Sequence, residues 1–357
     1  MQASRFERLT DLAIAGFLWA FRIAVVVIVV LGSFLTLTSG RFGPGTWIGL
    51  VISGLVLGSI YALIALGYTM VYGILRMINF AHGEIMMSGA VGGYFAAVFL
   101  SGSGFLNANP LASIVAIVLM IIVAAVIAVS ISLLVERIAY RPLRNAPRLV
   151  PLISAIGASF VLQYTFRGFL GPGIATYPTV TFLSERLPLP ISIRWLDVLI
   201  VLSAVVMMAG LYLFVMRTRF GTAIRAVSED QQTARLMGIN VDRTIVLTFG
   251  IGAAMAGAAG VLYGLIFKQV YFFTGFVPGI KAFTAAVLGG IGNIPGAMLG
   301  GIFLGEVESI GPILFLSGLG VPSPNQLKDV VAFTMLVLVL VFRPSGLLGE
   351  RVSRKRA

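Results

Sequence analysis

The chain has 357 residues, of which 59% are hydrophobic and only 11% are charged, and its mean hydropathy is +1.03. Soluble globular proteins carry roughly 25% charged residues, so this composition excludes a water-covered globular domain and predicts a polytopic membrane protein. The absence of cysteine excludes disulfides and thiolate chemistry, and a single histidine with 13 carboxylates leaves little material for a metal site.

Apolar runs of membrane-spanning length follow one another along the chain. A hydrocarbon core of about 30 Å needs roughly 20 apolar residues in a helix. The predicted spans lie near residues 20–39, 46–73, 82–101, 111–135, 149–170, 196–216, 244–267, 295–316 and 327–342. Residues 279–291 are apolar but short, so they predict either a tilted span that begins near Phe272 or a re-entrant half-helix. We therefore expect an all-α, polytopic inner-membrane helical bundle of about nine or ten transmembrane helices.

The net charge of +12 lies in the breaks between the apolar runs. This is the positive-inside pattern of membrane proteins, and it explains the charge without nucleic acid as a partner. We expect both termini and the arginine-rich breaks on the cytoplasmic side. The basic residues expected there are Arg5, Arg8, Arg76, Arg137, Arg141, Arg144, Arg148, Arg217, Arg219, Arg225, Arg235, Arg243, Arg343, Arg351, Arg354, Lys355 and Arg356.

The first apolar run is predicted to be a retained span. Arg22 interrupts it, and no pair of small residues that would suit a signal cleavage site precedes Gly40. We expect the Arg22 side chain to extend to the inner membrane interface.

The break after the second predicted span is dense in polar side chains. Asn79, His82 and Glu84 follow an apolar run that carries no charge until Arg76. Polar groups at membrane depth are costly and tend to mark a substrate path. One interpretation is a helix interruption whose side chains bond freed backbone groups and line or gate that path. The other is an ordinary inner loop in which Glu84 caps the next helix, and residue types alone leave the two even.

The segment 217–243 is predicted to be the longest cytoplasmic loop and to contain one short amphipathic helix. Ser228 precedes an acidic pair and predicts the helix start, while Gly238 predicts its end. The segment mixes apolar residues with charged ones. The charged residues are Arg225, Glu229, Asp230 and Arg235. The helix would lie on the membrane surface or dock to a cytoplasmic partner, and spacing does not decide between them.

Two glycine-rich stretches, 250–260 and 282–297, favour close helix packing over nucleotide binding. A phosphate-binding loop needs Gly-Lys-Ser/Thr, and no lysine of this chain follows a glycine. Glu306 and Glu308 lie two apart in an apolar run, so they should face different sides of a helix. We expect at least one of them to have a buried structural partner.

Several of these segments carry a family resemblance. From about residue 48 to the tail, the chain resembles the bacterial branched-chain amino acid ABC transporter permeases of the LivH type. The matching segments are 58–67, 67–84, 136–144, 152–157, 237–243, 281–292 and 328–331.

This resemblance implies an ABC importer permease architecture and uptake of leucine, isoleucine, valine or related amino acids. It implies four kinds of neighbour: a second, LivM-like permease, two cytoplasmic ABC ATPases, a substrate-binding protein and the lipid bilayer. ATP and Mg²⁺ would be held by the ATPases, with no cofactor, metal or catalytic residue in this chain.

The resemblance also extends to the cytoplasmic loop. Ala234 to Gly238 is similar to the Ala-x-x-x-Gly element that seats ABC permeases in their ATPases, which implies that the loop 217–243 couples the two subunits. The coupling residues would be Arg225, Glu229, Asp230, Ala234 and Gly238. Residues 46–343 would form the permease domain and 344–357 a basic cytoplasmic tail. Residues 1–45 depart from the family by adding a further span.

Two alternatives remain at this stage. Closely related permeases carry urea or short amides, and no pocket residue in the sequence separates these substrates from amino acids. A stand-alone ion-coupled transporter or channel is the alternative of another class. It would move substrate with only an ion gradient, whereas a permease subunit would be inert without its ATPases.

Overall fold

A computed structural model describes residues 2–144, 146–147, 149–188, 193–343 and 345–349, without the side chains of 2–11 and 13–15. Thirteen α-helices account for most of these residues. They are α1 (Gln2–Thr38), α2 (Pro44–Leu75), α3 (His82–Gly102), α4 (Pro110–Val135), α5 (Leu149–Leu170), α6 (Thr181–Ser184), α7 (Trp195–Arg217), α8 (Arg219–Glu229), α9 (Gln231–Leu236), α10 (Val241–Phe267), α11 (Phe276–Gly289), α12 (Ile294–Leu316) and α13 (Lys328–Phe342). A π-helical turn, Glu136–Tyr140, continues α4, and short 3-10 turns cover Phe105–Asn107, Arg141–Leu143 and Pro324–Leu327.

Within the described ranges, nine helices are long and apolar enough to cross a membrane. The prediction of an all-α polytopic bundle is therefore confirmed. The spanning stretches are Gly16–Thr38, Pro44–Leu75, His82–Gly102, Pro110–Leu143, Leu149–Leu170, Trp195–Arg217, Val241–Phe267, Ile294–Leu316 and Pro324–Phe342. The charged Arg22 lies within α1, which runs through it without a break.

The short apolar stretch forms α11, which has 14 residues. A helix of that length extends about 21 Å, less than the hydrocarbon core of about 30 Å. The helix alone is therefore shorter than a full span. The strand residues before it, Gln269–Val270, lie at the end of the bundle opposite the segment 217–243, whereas Ala286 lies beside Met77 at the other end, so residues 269–289 cross the bundle only partly as helix and make a tenth crossing. Residues 345–349 fold back onto the end of α11, where the Leu347 amide donates to the Leu288 carbonyl at 2.7 Å.

Some basic residues that were predicted to face the cytoplasm lie outside the described residues. They are Arg148 and the tail residues Arg351, Arg354, Lys355 and Arg356.

Glycine faces set the distance between the central helices, as the sequence predicts. A Cβ added at Gly305 of α12 would collide with the α2 backbone at Gly54 and Gly58. A Cβ at Gly257 of α10 would lie 2.7 Å from the Ala124 carbonyl oxygen of α4. Such contacts replace the hydrophobic driving force that is missing between helices in lipid.

A buried ion cluster fastens α11 to its neighbours. The Lys281 ammonium lies 2.7 Å from the carboxylate of Glu308 on α12 and 2.7 Å from that of Asp329 on α13. Lys281 and Glu308 are both buried, whereas Lys328, 3.8 Å from Glu308, is half-exposed. The predicted buried partner of Glu308 is confirmed. Glu306 faces another side of the helix and lies against Gly54.

At the end of the bundle opposite the coupling loop, a two-stranded ribbon joins distant parts of the chain. Strand β1 (Ala175–Thr176) pairs antiparallel with β2 (Gln269–Val270), with Ala175 opposite Val270. The next residue, Tyr177, is buried and donates from its hydroxyl to the Ala90 carbonyl of α3 at 2.7 Å. Through Tyr177, the ribbon therefore joins the end of α10 to the middle of α3.

The ion cluster generates a prediction about stability. Lys281→Met removes the cation from a buried Glu308, and breaking a buried pair in this way costs about 3–5 kcal/mol. Thermal unfolding of the purified protein in detergent should show a clear loss. Lys328→Met is the matched control, because an exposed pair contributes at most about 1 kcal/mol. Equal transitions for the two variants would contradict the role of Lys281.

Candidate functional site

The site is built around the break between α2 and α3. Helix α2 ends where Arg76 adopts a left-handed conformation, with φ 51° and ψ 31°, and its amide donates to the Tyr72 carbonyl at 2.8 Å. Helix α3 then begins at His82, and its cap residue, Ala81, supplies no side-chain hydrogen bond. Six residues between the two helices, Arg76 to Ala81, are thus outside regular structure, in a largely buried region.

The three side chains predicted for the substrate path are all buried, one in the break and two in the first turn of α3. Asn79, His82 and Glu84 are only 2%, 1% and 1% exposed. Glu84 makes no capping hydrogen bond to its own helix. The burial of all three shows that neighbouring helices enclose the break, but the break still lies between two stretches that are each long enough to span, so burial does not separate the two interpretations.

Each of the three side chains meets a different neighbour. The Tyr140 hydroxyl, from the π-helical turn after α4, donates to Asn79 Oδ1 at 2.5 Å. The Glu84 carboxylate accepts from Gln163 Nε2 at 2.7 Å. The His82 ring meets the ring of Tyr68 edge-on, with 4.7 Å between centroids. The predicted residues therefore share one buried region without converging on a single point.

Helix α5 is attached to the core through this site. Its buried positions, Pro151, Ala155, Ser159 and Gln163, recur every four residues and form one stripe. Ser159 Oγ also donates to Glu84 at 3.2 Å, so the polar half of the stripe faces the carboxylate. Sequence reasoning missed Ser159 and Gln163, although two polar residues four apart in an apolar run are a usable signal.

Four polar atoms of the site have no hydrogen-bond partner among the described residues. They are Thr69 Oγ1, Asn79 Nδ2, His82 Nε2 and Glu84 Oε2. A buried polar atom without a partner costs about 1–3 kcal/mol. These atoms are therefore available to bond a polar molecule that reaches the break.

The space beside the break is closed in this conformation. A cavity of about 10 Å³ lies between the break, α2 and α11, lined in part by Asn79, Tyr68 and Phe283. That volume is about one water molecule. A larger molecule can pass only if α2, the break and α11 move apart.

The predicted coupling loop contains two helices rather than one. The start predicted at Ser228 is wrong, because α8 continues to Glu229 and Asp230 caps α9. The Asp230 carboxylate accepts from the Gln232 amide at 2.8 Å and from the Thr233 hydroxyl at 2.8 Å. These bonds, the Thr233 hydroxyl first, hold the pKa of the Asp230 carboxyl below its usual range, so it stays ionised at neutral pH. Gly238 ends the segment with φ +82°, as predicted.

The tip of this loop is largely exposed. Arg225, Glu229, Asp230 and Gly238 are exposed, while Ala234 is buried. Two large apolar side chains, Leu236 and Met237, are 87% and 78% exposed, outside every spanning stretch. An apolar tip with charged flanks is typical of a surface that docks another protein.

The coupling loop and the break touch each other directly. Gln231 Nε2 donates to the Ile74 carbonyl at 2.7 Å, so a carbonyl in the last turn of α2 is bonded by the loop. Arg76 Nη2 donates to the Ser228 carbonyl at 3.3 Å. A groove of about 380 Å³ separates the two segments around these bonds. Sequence reasoning missed Gln231, because an amide in an exposed loop resembles any surface residue.

A second contact joins the same loop to α4. Arg144 forms ion pairs with Glu136 of the π-helical turn and with Asp242, the second residue of α10. The side chain of Glu136 is buried, whereas that of Asp242 is about half exposed. The loop is therefore anchored in its middle and at its second end to the elements that surround the break.

Comparison with known proteins supplies the family. Residues 50–340 match the family described as the branched-chain amino acid transport system permease component. The chain is 46% identical over 304 residues to the permease protein BraD of the high-affinity branched-chain amino acid transport system of Pseudomonas aeruginosa, with 84% of this chain and 95% of the relative covered. It is 44% identical over 306 residues to the corresponding LivH of Escherichia coli, covering 84% and 94%. It is 27% identical over 307 residues to a probable branched-chain amino acid transport permease protein LivH of Methanocaldococcus jannaschii, covering 84% and 92%.

No solved structure matches the chain. The family match extends over most of the chain, from the first turns of α2 to the end of α13, and leaves α1 outside it. The identities to relatives that are covered over nearly their whole length agree with that match. The chain belongs to the family of branched-chain amino acid transport system permease components.

Proposed function

We propose that the chain is the membrane-embedded permease subunit of an ATP-driven importer of branched-chain amino acids. The observation that carries this proposal is 46% identity across 95% of a relative named as a branched-chain amino acid permease. The chain would work with a second, LivM-like permease, two cytoplasmic ABC ATPases and a substrate-binding protein. ATP and Mg²⁺ would be bound by the ATPases.

We place the protein in the bacterial inner membrane with both termini in the cytoplasm. Segments predicted to share the cytoplasmic side are in contact with each other, since Arg76 bonds Ser228 and Arg144 pairs with Asp242. The same side would carry the loop 217–243. Residues 46–343 would form the permease domain, with 1–45 as an added spanning segment and 344–357 as a basic tail.

The break would form part of the substrate path. An amino acid carries an ammonium group and a carboxylate, and both must be bonded when they leave water. Glu84 Oε2 can accept from an ammonium group and Asn79 Nδ2 can donate to a carboxylate, and both atoms lack a partner among the described residues. His82 would hold the break against α2 through Tyr68.

The coupling loop would drive the opening of this path. ATPases that move the exposed tip of α8 and α9 would pull on the Gln231 bond to Ile74 and on the Arg76 bond to Ser228. Both bonds lie at the end of α2, next to the closed cavity. Arg225, Glu229 and Asp230 would contact the ATPase, while Ala234 and Gly238 shape the segment.

The test of this function is uptake by reconstituted vesicles. The chain is combined with its partner permease, ATPases and binding protein and is offered labelled leucine or labelled urea. We expect ATP-dependent leucine uptake. Urea uptake without leucine uptake would contradict the substrate, and uptake driven by an ion gradient in the absence of ATPases would contradict the importer class.

The path assignment predicts a loss of transport in Glu84→Gln. The variant keeps the shape of the side chain but has one acceptor oxygen instead of two, and a hydrogen bond to a charged group such as the substrate ammonium is worth about 1.5–3 kcal/mol. Uptake should fall about tenfold or more at unchanged expression. Glu306→Gln is the control, because Glu306 lies away from the break against Gly54. Normal uptake by Glu84→Gln and by Asn79→Ala would rule out the break as the path.

The coupling assignment predicts an uncoupled phenotype for Gln231→Ala. Without the bond to Ile74, movement of the loop should no longer reach α2. ATP hydrolysis should therefore continue while leucine uptake falls several-fold. Gln232→Ala removes a neighbouring exposed amide and should leave both activities unchanged. If the two variants transport leucine equally, the Gln231 bond does not transmit the movement.

A further inference from the structure

An apolar groove separates α1 from α13. One part of it, about 200 Å³, is lined by α1 residues that include Val25 and Val29 and by α13 residues that include Val331 and Met335. A second part, about 170 Å³, lies between the stretch around Phe17 to Arg22 and the end of α13. Leu338 lines both parts, so they are adjacent along α13.

The packing of α1 explains why the groove exists. Near its C-terminal end, α1 packs closely on α12, where a Cβ at Gly32 would collide with the Phe315 carbonyl. The Gly318 amide also donates to Thr36 Oγ1 at 2.8 Å. On the N-terminal side of this contact, bulky apolar side chains of α1 face α13 across the groove. The helix is therefore fixed at one end and leaves a gap at the other.

The inner end of the groove carries positive charge. Arg22 is the single charged residue in its lining, and its guanidinium lies 4.9 Å from the ring centre of Phe342. Arg22 Nε is buried and has no hydrogen-bond partner, and no carboxylate of the described residues pairs with this side chain. Arg343, exposed, follows Phe342 directly. Arg22 as a whole is half-buried, and a guanidinium whose Nε is buried without a partner is stabilised by an anion.

We propose that this groove binds one anionic phospholipid, with an acyl chain between α1 and α13 and the phosphate at Arg22. The planar guanidinium is well suited to phosphate, and its stacking on Phe342 holds it at the helix end. From Arg22 to Val29, the part of α1 that lines the groove on one side of Arg22 extends about 11 Å, which lies within one leaflet of a hydrocarbon core of about 30 Å. A phospholipid with its phosphate at Arg22 can therefore lay the upper part of an acyl chain along this stretch of the groove.

The size of the groove favours a lipid over a protein segment. A helix with its side chains has a diameter of about 10–12 Å and does not fit into parts of about 200 and 170 Å³. Unlike the site at the break, the lining has no polar group apart from Arg22 and Thr334. An acyl chain needs no hydrogen bonds, so these apolar walls suit it. The lipid attaches α1 to the rest of the bundle along the stretch where the protein itself does not.

The test is native mass spectrometry of the purified full-length protein. Palmitoyl-oleoyl phosphatidylglycerol is compared with phosphatidylcholine that has the same chains. The unmodified protein should retain phosphatidylglycerol in preference. Arg22→Gln should lower that preference about fivefold, the effect of one basic side chain on an anionic lipid, and Arg22→Lys should keep most of it. Arg41→Gln, an exposed arginine beyond the other end of α1, is the matched control. Equal preferences in the unmodified, Arg22→Gln and Arg41→Gln proteins would overturn the proposal.

A second experiment identifies the occupant. The chain has no cysteine, so Met335→Cys gives a unique attachment point for a photoactivatable crosslinker in the groove. A crosslink to phosphatidylglycerol supports the proposal, and a crosslink to another protein subunit overturns it. Leu338→Trp, which fills the groove without changing charge, should lower the retention of both lipids. Unchanged retention in this variant would place the lipid elsewhere.

Discussion

The structure depends on one constraint, which is that backbone groups inside a membrane must be bonded within the protein. The second spanning helix ends at Leu75, and the next helix begins only at His82. A break of this kind is tolerated only where neighbours enclose it. The π-helical turn after α4, the polar stripe of α5, helix α10 and the short α11 supply that enclosure, and the coupling loop bonds the carbonyl of Ile74 in the last turn of α2.

The same constraint links structure to transport. In the function that we propose, the buried polar atoms of the break that lack partners among the described residues would briefly bond a zwitterion in passage. Because the bonds at the end of α2 come from the exposed segment 217–243, the stability of the closed break depends on how that segment is held. In the assembly that we propose, an ATPase that repositions α8 and α9 would alter the break without contacting the membrane interior.

Much of the fold follows from the sequence, because the length of an apolar run decides whether a helix spans the bilayer. The nine spans and the burial of Asn79, His82 and Glu84 were predictable on that basis and from the density of polar residues. The hydrogen-bond partners of the polar side chains could not be predicted from the sequence. Gln231 bonds a carbonyl 157 residues away, and Gln163 meets Glu84 from 79 residues away. Such pairings are decided by how the helices pack. The division between α8 and α9 was missed because Ser228 and Asp230 are both good caps, and only the tertiary contacts of the loop select one.

The most direct test of the account is hydrogen–deuterium exchange of the assembled transporter, measured with and without ATP. The central claim is that the loop 217–243 and the break 76–84 move as one unit. The account predicts that exchange in both segments changes together when ATP is added, while a distant outer segment such as 171–188 changes less. A change confined to the loop, with the break unaffected, would contradict the claim.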